Sequence, residues 1–136
     1  MQKNNIMVTD DARGIRESIK VIFEDHFNVQ EASSGDEALE KLKTGQIFLV
    51  ILDVLMPGMD GIETLEKIKA MNADVEVCML TSVNDYQVIS RVKELGAYDY
   101  VTKPFDVERI RNTILDMESR LKSRGLIPPP GFEKLN

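Results

Sequence analysis

The chain has 136 residues, a single cysteine and a formal net charge of −6 from 23 acidic and 17 basic side chains. That length suits one domain able to bury roughly two-thirds of its unfolded surface without metal or disulfide staples. Lone Cys78 excludes an intrachain disulfide and a cysteine-rich metal centre, and the acidic balance argues against this segment gripping nucleic acid through its phosphates. No apolar run is long enough to cross a bilayer, and the Met-Gln-Lys-Asn-Asn start lacks the apolar core of a signal peptide, so the expectation is a soluble cytoplasmic protein with no membrane partner.

Asn4–Asp10 is a short apolar run that ends in the acidic pair Asp10-Asp11, a strand delivering carboxylates at its C-terminal tip. Ile15, Ile19, Ile22 and Phe23 follow with helical spacing and leave Arg16, Glu17, Lys20 and Glu24 for the wet face. This helix should end near His26 or Phe27, making His26 a surface residue at a helix end. Asn28–Ala32 alternates as a second strand, and Ser34-Gly35-Asp36-Glu37 matches a capping box opening a helix with Ala38, Leu39 and Leu42, stopped by Gly45.

Ile47–Asp53 carries the strongest strand signal: six apolar residues suited to burial on both faces, halted by a carboxylate. Burying an ionised carboxylate at a strand tip is costly unless cations or donors meet it, so Asp53 is expected to have a task. Met56-Pro57-Gly58 has turn chemistry, and Asp60 can cap a helix from Gly61 to Met71 with Ile62, Leu65 and Ile68 facing inward. Val75–Leu80 is a fourth strand, with Cys78 as a packed residue, ending at Thr81-Ser82. Asn84 is placed to cap the next helix, which carries Val88, Val92 and Leu95 and is closed by Gly96. Tyr98–Val101 is a fifth strand running into Thr102-Lys103-Pro104-Phe105. Asp106 opens a last helix with Ile110, Ile114, Met117 and Leu121, and Gly125 with Pro128–Pro130 ends it, the prolines reading as a stiff linker.

Five strands alternating with five helices demand a parallel, doubly wound α/β sheet covered on both faces. Asp10, Asp11, Asp53, Thr81 and Lys103 then fall at the C-terminal ends of strands one, three, four and five, the edge where such sheets place their sites. Strand two contributes nothing chemical there. Two unit charges about 4 Å apart at an effective dielectric of 20 interact by roughly 4 kcal/mol, so three clustered carboxylates require a counter-charge. Oxygen-only ligation points to Mg²⁺, with Thr81 and Lys103 as donors to phosphoryl oxygens and Asp53 as a nucleophile able to form an acyl-phosphate.

Asp10-Asp11, the D-V-L-M-P-G-M-D-G run from Asp53, L-T-S at Leu80–Ser82, G-A-Y-D-Y from Gly96 and K-P-F from Lys103 resemble the receiver domain of two-component response regulators. The resemblance covers residues 4–122, leaving 123–136 as a proline-containing C-terminal tail or linker. It implies a flavodoxin-like (βα)5 three-layer sandwich with strand order 2-1-3-4-5 and a cis Lys103-Pro104 peptide. It implies that Asp53 accepts a phosphoryl group from the phosphohistidine of a sensor histidine kinase or phosphotransfer protein. Asp11 and Asp53 would bind Mg²⁺ directly with the backbone carbonyl of Leu55, Asp10 through water, and Mn²⁺ could substitute.

In the same resemblance Thr81 and Lys103 hold the phosphoryl oxygens and Tyr100 is the aromatic switch. The face of helix four, strand five and helix five then signals to an effector domain, a downstream protein or a second copy in a phosphorylation-dependent homodimer. Many relatives carry a polar residue two positions after the phosphoacceptor, where this chain has Leu55, and Val83 is likewise apolar two positions after Thr81, which implies slow self-dephosphorylation. The protein is thus expected to catalyse only its own phosphorylation and dephosphorylation. Two alternatives remain: an aspartate-nucleophile Mg²⁺ phosphatase, which characteristically has a second aspartate where Leu55 stands, and a non-phosphorylated interaction module of the same fold. A flavin-binding relative is disfavoured, because Asp10-Asp11-Ala12-Arg13 would repel an anionic phosphate.

Overall fold

In the computed structural model, which describes residues 3–128, the apolar runs form one sheet of five strands. They are β1 (Asn4–Thr9), β2 (Phe27–Ala32), β3 (Leu49–Leu52), β4 (Glu76–Thr81) and β5 (Asp99–Thr102). All neighbours pair in parallel, in the order β2-β1-β3-β4-β5. The helices are α1 (Arg13–Phe23), α2 (Gly35–Leu42), α3 (Gly61–Met71), α4 (Tyr86–Glu94) and α5 (Val107–Ser123).

Alternation along each strand sorts the core into two halves, because successive side chains point to opposite faces. Ile6, Val8, Leu49, Ile51, Cys78 and Leu80 pack on one face with Ile19 and Phe23 of α1 and Ile110, Ile114, Met117 and Leu121 of α5. Met7, Val50, Leu52, Val77 and Met79 pack on the other with Ala38 and Leu42 of α2, Leu65 and Ile68 of α3 and Val92 of α4. The sheet is therefore the middle of three layers. Central β3 is buried along its whole length, as an apolar run without alternation requires.

Several boundaries differ from the sequence reading. Helix α1 stops at Phe23, short of His26, because Phe27 is needed as a buried strand residue opposite Asn4 and packs edge-on against Phe23 at 5.9 Å between ring centroids. Strand β3 keeps only the four residues that pair with both neighbours, so Asp53 lies just past it rather than within it. Strands β4 and β5 each begin and end one residue later than their apolar patterns. The cap of α4 is Asp85, whose Oδ1 accepts from Gln87 N at 2.8 Å, not Asn84. At α2, Ser34 Oγ accepts from Glu37 N at 3.1 Å as a capping box requires, but Glu37 reaches back to the backbone N–H of Ser33, 2.6 Å away. Helix α5 is followed by Gly125 at φ 73°, and the part of the proposed tail from 129 to 136 lies outside the described residues.

Candidate functional site

Strands β1 and β3 are neighbours, yet the helices after them cover opposite faces of the sheet, so their C-terminal ends open a crevice at the topological switch point. Asp10 and Asp53 are the first residues past these strands. Backbone bonds fix both: Asp10 N donates to Ala32 O at 3.1 Å and Asp53 N to Thr9 O at 3.0 Å. The two carboxylates are buried, 2% and 6% exposed, while Asp11 beside them is exposed. One oxygen from each of Asp10, Asp11 and Asp53 lies within 4.8 Å of the others.

Lys103 follows β5 and reaches across this cluster. Its Nζ donates to Asp10 Oδ2 at 2.8 Å and to Asp53 Oδ2 at 3.3 Å. The Lys103-Pro104 peptide is cis, and Lys103 N donates to Thr81 O at 2.9 Å. Burial pushes the Asp10 carboxyl above its ordinary value, and the charge of Asp53 adds to this, against the opposing hydrogen bond from Lys103. Burial also works against the Lys103 ammonium, but bonding to Asp10 and the charge of Asp53 outweigh it and hold its pKa above the ordinary value. A firmly protonated ammonium thus stands between two buried carboxylates.

Thr81 ends β4 beside β3 and is fully buried. Its Oγ1 accepts from Val83 N at 3.3 Å, so its hydroxyl is tied to its own loop rather than bonded to Asp53 or Lys103 among the described residues. The Tyr100 ring is buried, and its hydroxyl donates to the carbonyl of Val83. Burial, with the charges of Asp53 and Asp85, raises the pKa of that hydroxyl. One loop residue, Val83, therefore joins the tip of β4 to the tyrosine of β5. Leu55 places its N–H 3.3 Å from Asp53 Oδ1, and its side chain is 58% exposed.

The loop from Asp53 to α3 closes tightly. Gly61 N donates to Val54 O at 2.8 Å, Asp60 Oδ1 caps the helix by accepting from Glu63 N at 2.9 Å, and a Cβ at Gly61 would overlap the carbonyl of Asp53.

The structure thus gathers Asp10, Asp11, Asp53 and Lys103 in one cluster and links buried Thr81 to Tyr100 through Val83. Two neighbours escaped the sequence reading. Arg16 is not a wet-face residue: its side chain is 15% exposed, and Nη1 donates to the Asp10 carbonyl at 2.8 Å while Nε donates to Glu31 Oε1 at 3.2 Å. Glu31 belongs to β2, the strand from which nothing chemical was expected. A sequence signal existed for Arg16, because the first turns of a helix that starts after an acidic loop lie back over that loop. His26 is exposed as expected, but its Nε2 lies 2.8 Å from Oε1 of buried Glu118 on α5.

A doubly wound parallel sheet with an acidic pocket and one lysine at its switch point defines a narrow class of α/β proteins. The model of the response regulator receiver domain matches residues 6–115, and the chain belongs to this family. It is 34% identical to sporulation initiation phosphotransferase F of Bacillus subtilis over 84% of this chain and 93% of that one. It is 41% identical to the probable C4-dicarboxylate response regulator DctR of the same organism, over 61% of this chain and 37% of that longer one. Among solved structures, the CheX-CheY-BeF3-Mg+2 complex from Borrelia burgdorferi matches with a TM-score of 0.82 and 27% identity, over 86% of this chain and 90% of that one. The chain is a receiver domain, a signalling module with the flavodoxin-like fold.

Proposed function

We propose that the pocket receives a phosphoryl group on Asp53 from the phosphohistidine of a sensor histidine kinase or a phosphotransfer protein. The observation that carries this reading is Lys103 Nζ bridging Asp10 and Asp53 inside a three-carboxylate cluster. In the step, an Asp53 oxygen attacks phosphorus, the phosphorus–nitrogen bond breaks, and the departing imidazole nitrogen takes up a proton.

The donor set is oxygen only and suits a hard divalent cation. Asp11, Asp53 and the Leu55 carbonyl would hold Mg²⁺, with Asp10 acting through water and Mn²⁺ as a substitute; the ion supplies neutralisation of phosphoryl charge. Lys103 donates to a phosphoryl oxygen as its bonds to the aspartates are shared out. The Thr81 hydroxyl accepts in its bond to Val83 N, so its proton is free to donate to another phosphoryl oxygen. Because Val83 also holds the Tyr100 hydroxyl, movement of Thr81 is felt at β5. The face of α4, β5 and α5 then carries the signal to an effector domain or a downstream protein, or pairs two phosphorylated copies.

In this reading the receiver unit spans 4–122 and acts in the cytoplasm, and its only catalysis is its own phosphorylation and dephosphorylation. Incubation of the purified chain with acetyl phosphate and Mg²⁺, followed by intact-mass measurement, should show one added phosphoryl group. The gain should vanish in Asp53→Asn and on chelation of the metal. No mass gain in the unaltered protein overturns the reading.

A further inference from the structure

The acidic pair hangs from one peptide, and that peptide is held from outside the pocket. The Asp10 carbonyl belongs to the bond joining Asp10 to Asp11, so whatever fixes this oxygen fixes the plane from which both carboxylates project. Arg16 Nη1 donates to it at 2.8 Å, and Arg16 Nε donates at the same time to Glu31 Oε1 at 3.2 Å. The Arg16 side chain is largely covered, 15% exposed. Glu31 is itself placed by pairing of β2 with β1, and its backbone carbonyl accepts from Lys41 Nζ of α2. The other bonds to Asp10 are Asp10 N to Ala32 O, Ala12 N to Asp10 Oδ1 at 2.9 Å and Lys103 Nζ to Asp10 Oδ2 at 2.8 Å, and none of them holds the Asp10 carbonyl.

We propose that Arg16, aimed by Glu31, is a positioning residue that clamps the Asp10-Asp11 peptide so that the two carboxylates stay convergent with Asp53 for divalent-cation binding. The proposal rests on the metal-assisted reading given above. A planar guanidinium can span a carbonyl and a carboxylate in one fixed geometry, whereas an ammonium is a point donor without that fork. Edge strand β2 thereby supports the pocket without lending it a ligand.

Charge and positioning predict opposite signs, which makes the inference testable without measuring phosphorylation. If Arg16 acted only as a nearby positive charge, its removal would tighten binding of a divalent cation. As a clamp, its removal loosens binding, and loss of a residue supporting metal ligands weakens affinity by about 10–100-fold.

Mg²⁺ titration of the full chain by calorimetry, with no phosphodonor present, reads the difference. Arg16→Ala should weaken Mg²⁺ binding by about tenfold or more. Arg16→Lys keeps the charge, cannot span both oxygens, and should also be weakened. Glu31→Ala, which leaves Arg16 present but unaimed, should show a smaller loss in the same direction. Each variant is titrated at a temperature where its circular dichroism matches that of the unaltered protein, and if Arg16→Ala does not fold, Arg16→Lys and Glu31→Ala decide. Unchanged or tighter binding in folded Arg16→Ala or Arg16→Lys overturns the clamp. Failure of the unaltered protein to bind Mg²⁺ overturns instead the functional reading on which the clamp depends.

Discussion

Leu55 stands two residues beyond Asp53, its backbone N–H bonded to the Asp53 carboxylate and its aliphatic side chain exposed. Hydrolysis of an acyl-phosphate needs a water held in line with phosphorus, and an aliphatic group offers it no hydrogen bond. Half-buried Val83, on the loop beyond Thr81, is equally mute. Phosphorylated Asp53 should therefore be long-lived, and Leu55→Asn should shorten its lifetime severalfold, followed as loss of label after the phosphodonor is removed. An unchanged lifetime would count against this role for Leu55.

At the scale of elements, the start of α3 and the join of β5 to α5 each rest on a close contact. Gly61 is the only residue type that fits where α3 begins, because any Cβ would collide with the Asp53 carbonyl. Gly61→Ala should cost about 1–3 kcal/mol in urea unfolding and slow phosphorylation as well, since relief of the clash moves the backbone of Asp53. At β5, Arg109 of α5 donates through Nη1 to Oδ2 of Asp99, the first residue of the strand, at 2.8 Å. Burial pushes the Asp99 carboxyl up, but hydrogen bonding and charge from Arg109 outweigh it and hold it below its ordinary value of 3.8. A carboxyl whose pKa is depressed on folding contributes stability that is complete above its unfolded value and is lost as pH falls through the folded one. Unfolding free energies of the native protein and Asp99→Asn should thus differ fully at neutral pH and converge in the acid limb below 3.8.

For the molecule as a whole, burial on both faces predicts that the sheet's centre opens last, and Cys78 reports on it. The thiol is fully buried in β4, and burial, with a contribution from the charge of Asp99, pushes its pKa up to about 12. Only the thiolate reacts, so labelling at neutral pH should be negligible in the folded state and should track global unfolding as urea is added. Rapid labelling of the native protein would show that β4 opens locally.

Much of this architecture was legible without coordinates. The apolar periods of the five strands and five helices, the caps at Ser34, Asp60 and Asp106, and the arrival of Asp10, Asp11, Asp53, Thr81 and Lys103 at strand ends follow from residue spacing, because hydrogen bonding and burial period are local. The strand order came from family resemblance rather than from spacing, and pairing confirms it. The sequence by itself determined which carboxylates would sit on a common rim. Only the tertiary structure decided what holds them there, Lys103 between Asp10 and Asp53 and Arg16 on the Asp10 carbonyl with Glu31 behind it, and which distant partners meet elsewhere, Val83 with Tyr100 and His26 with Glu118. Those partners are set by how helices dock on the sheet, and docking is fixed by the packing of many side chains at once, which no local pattern records.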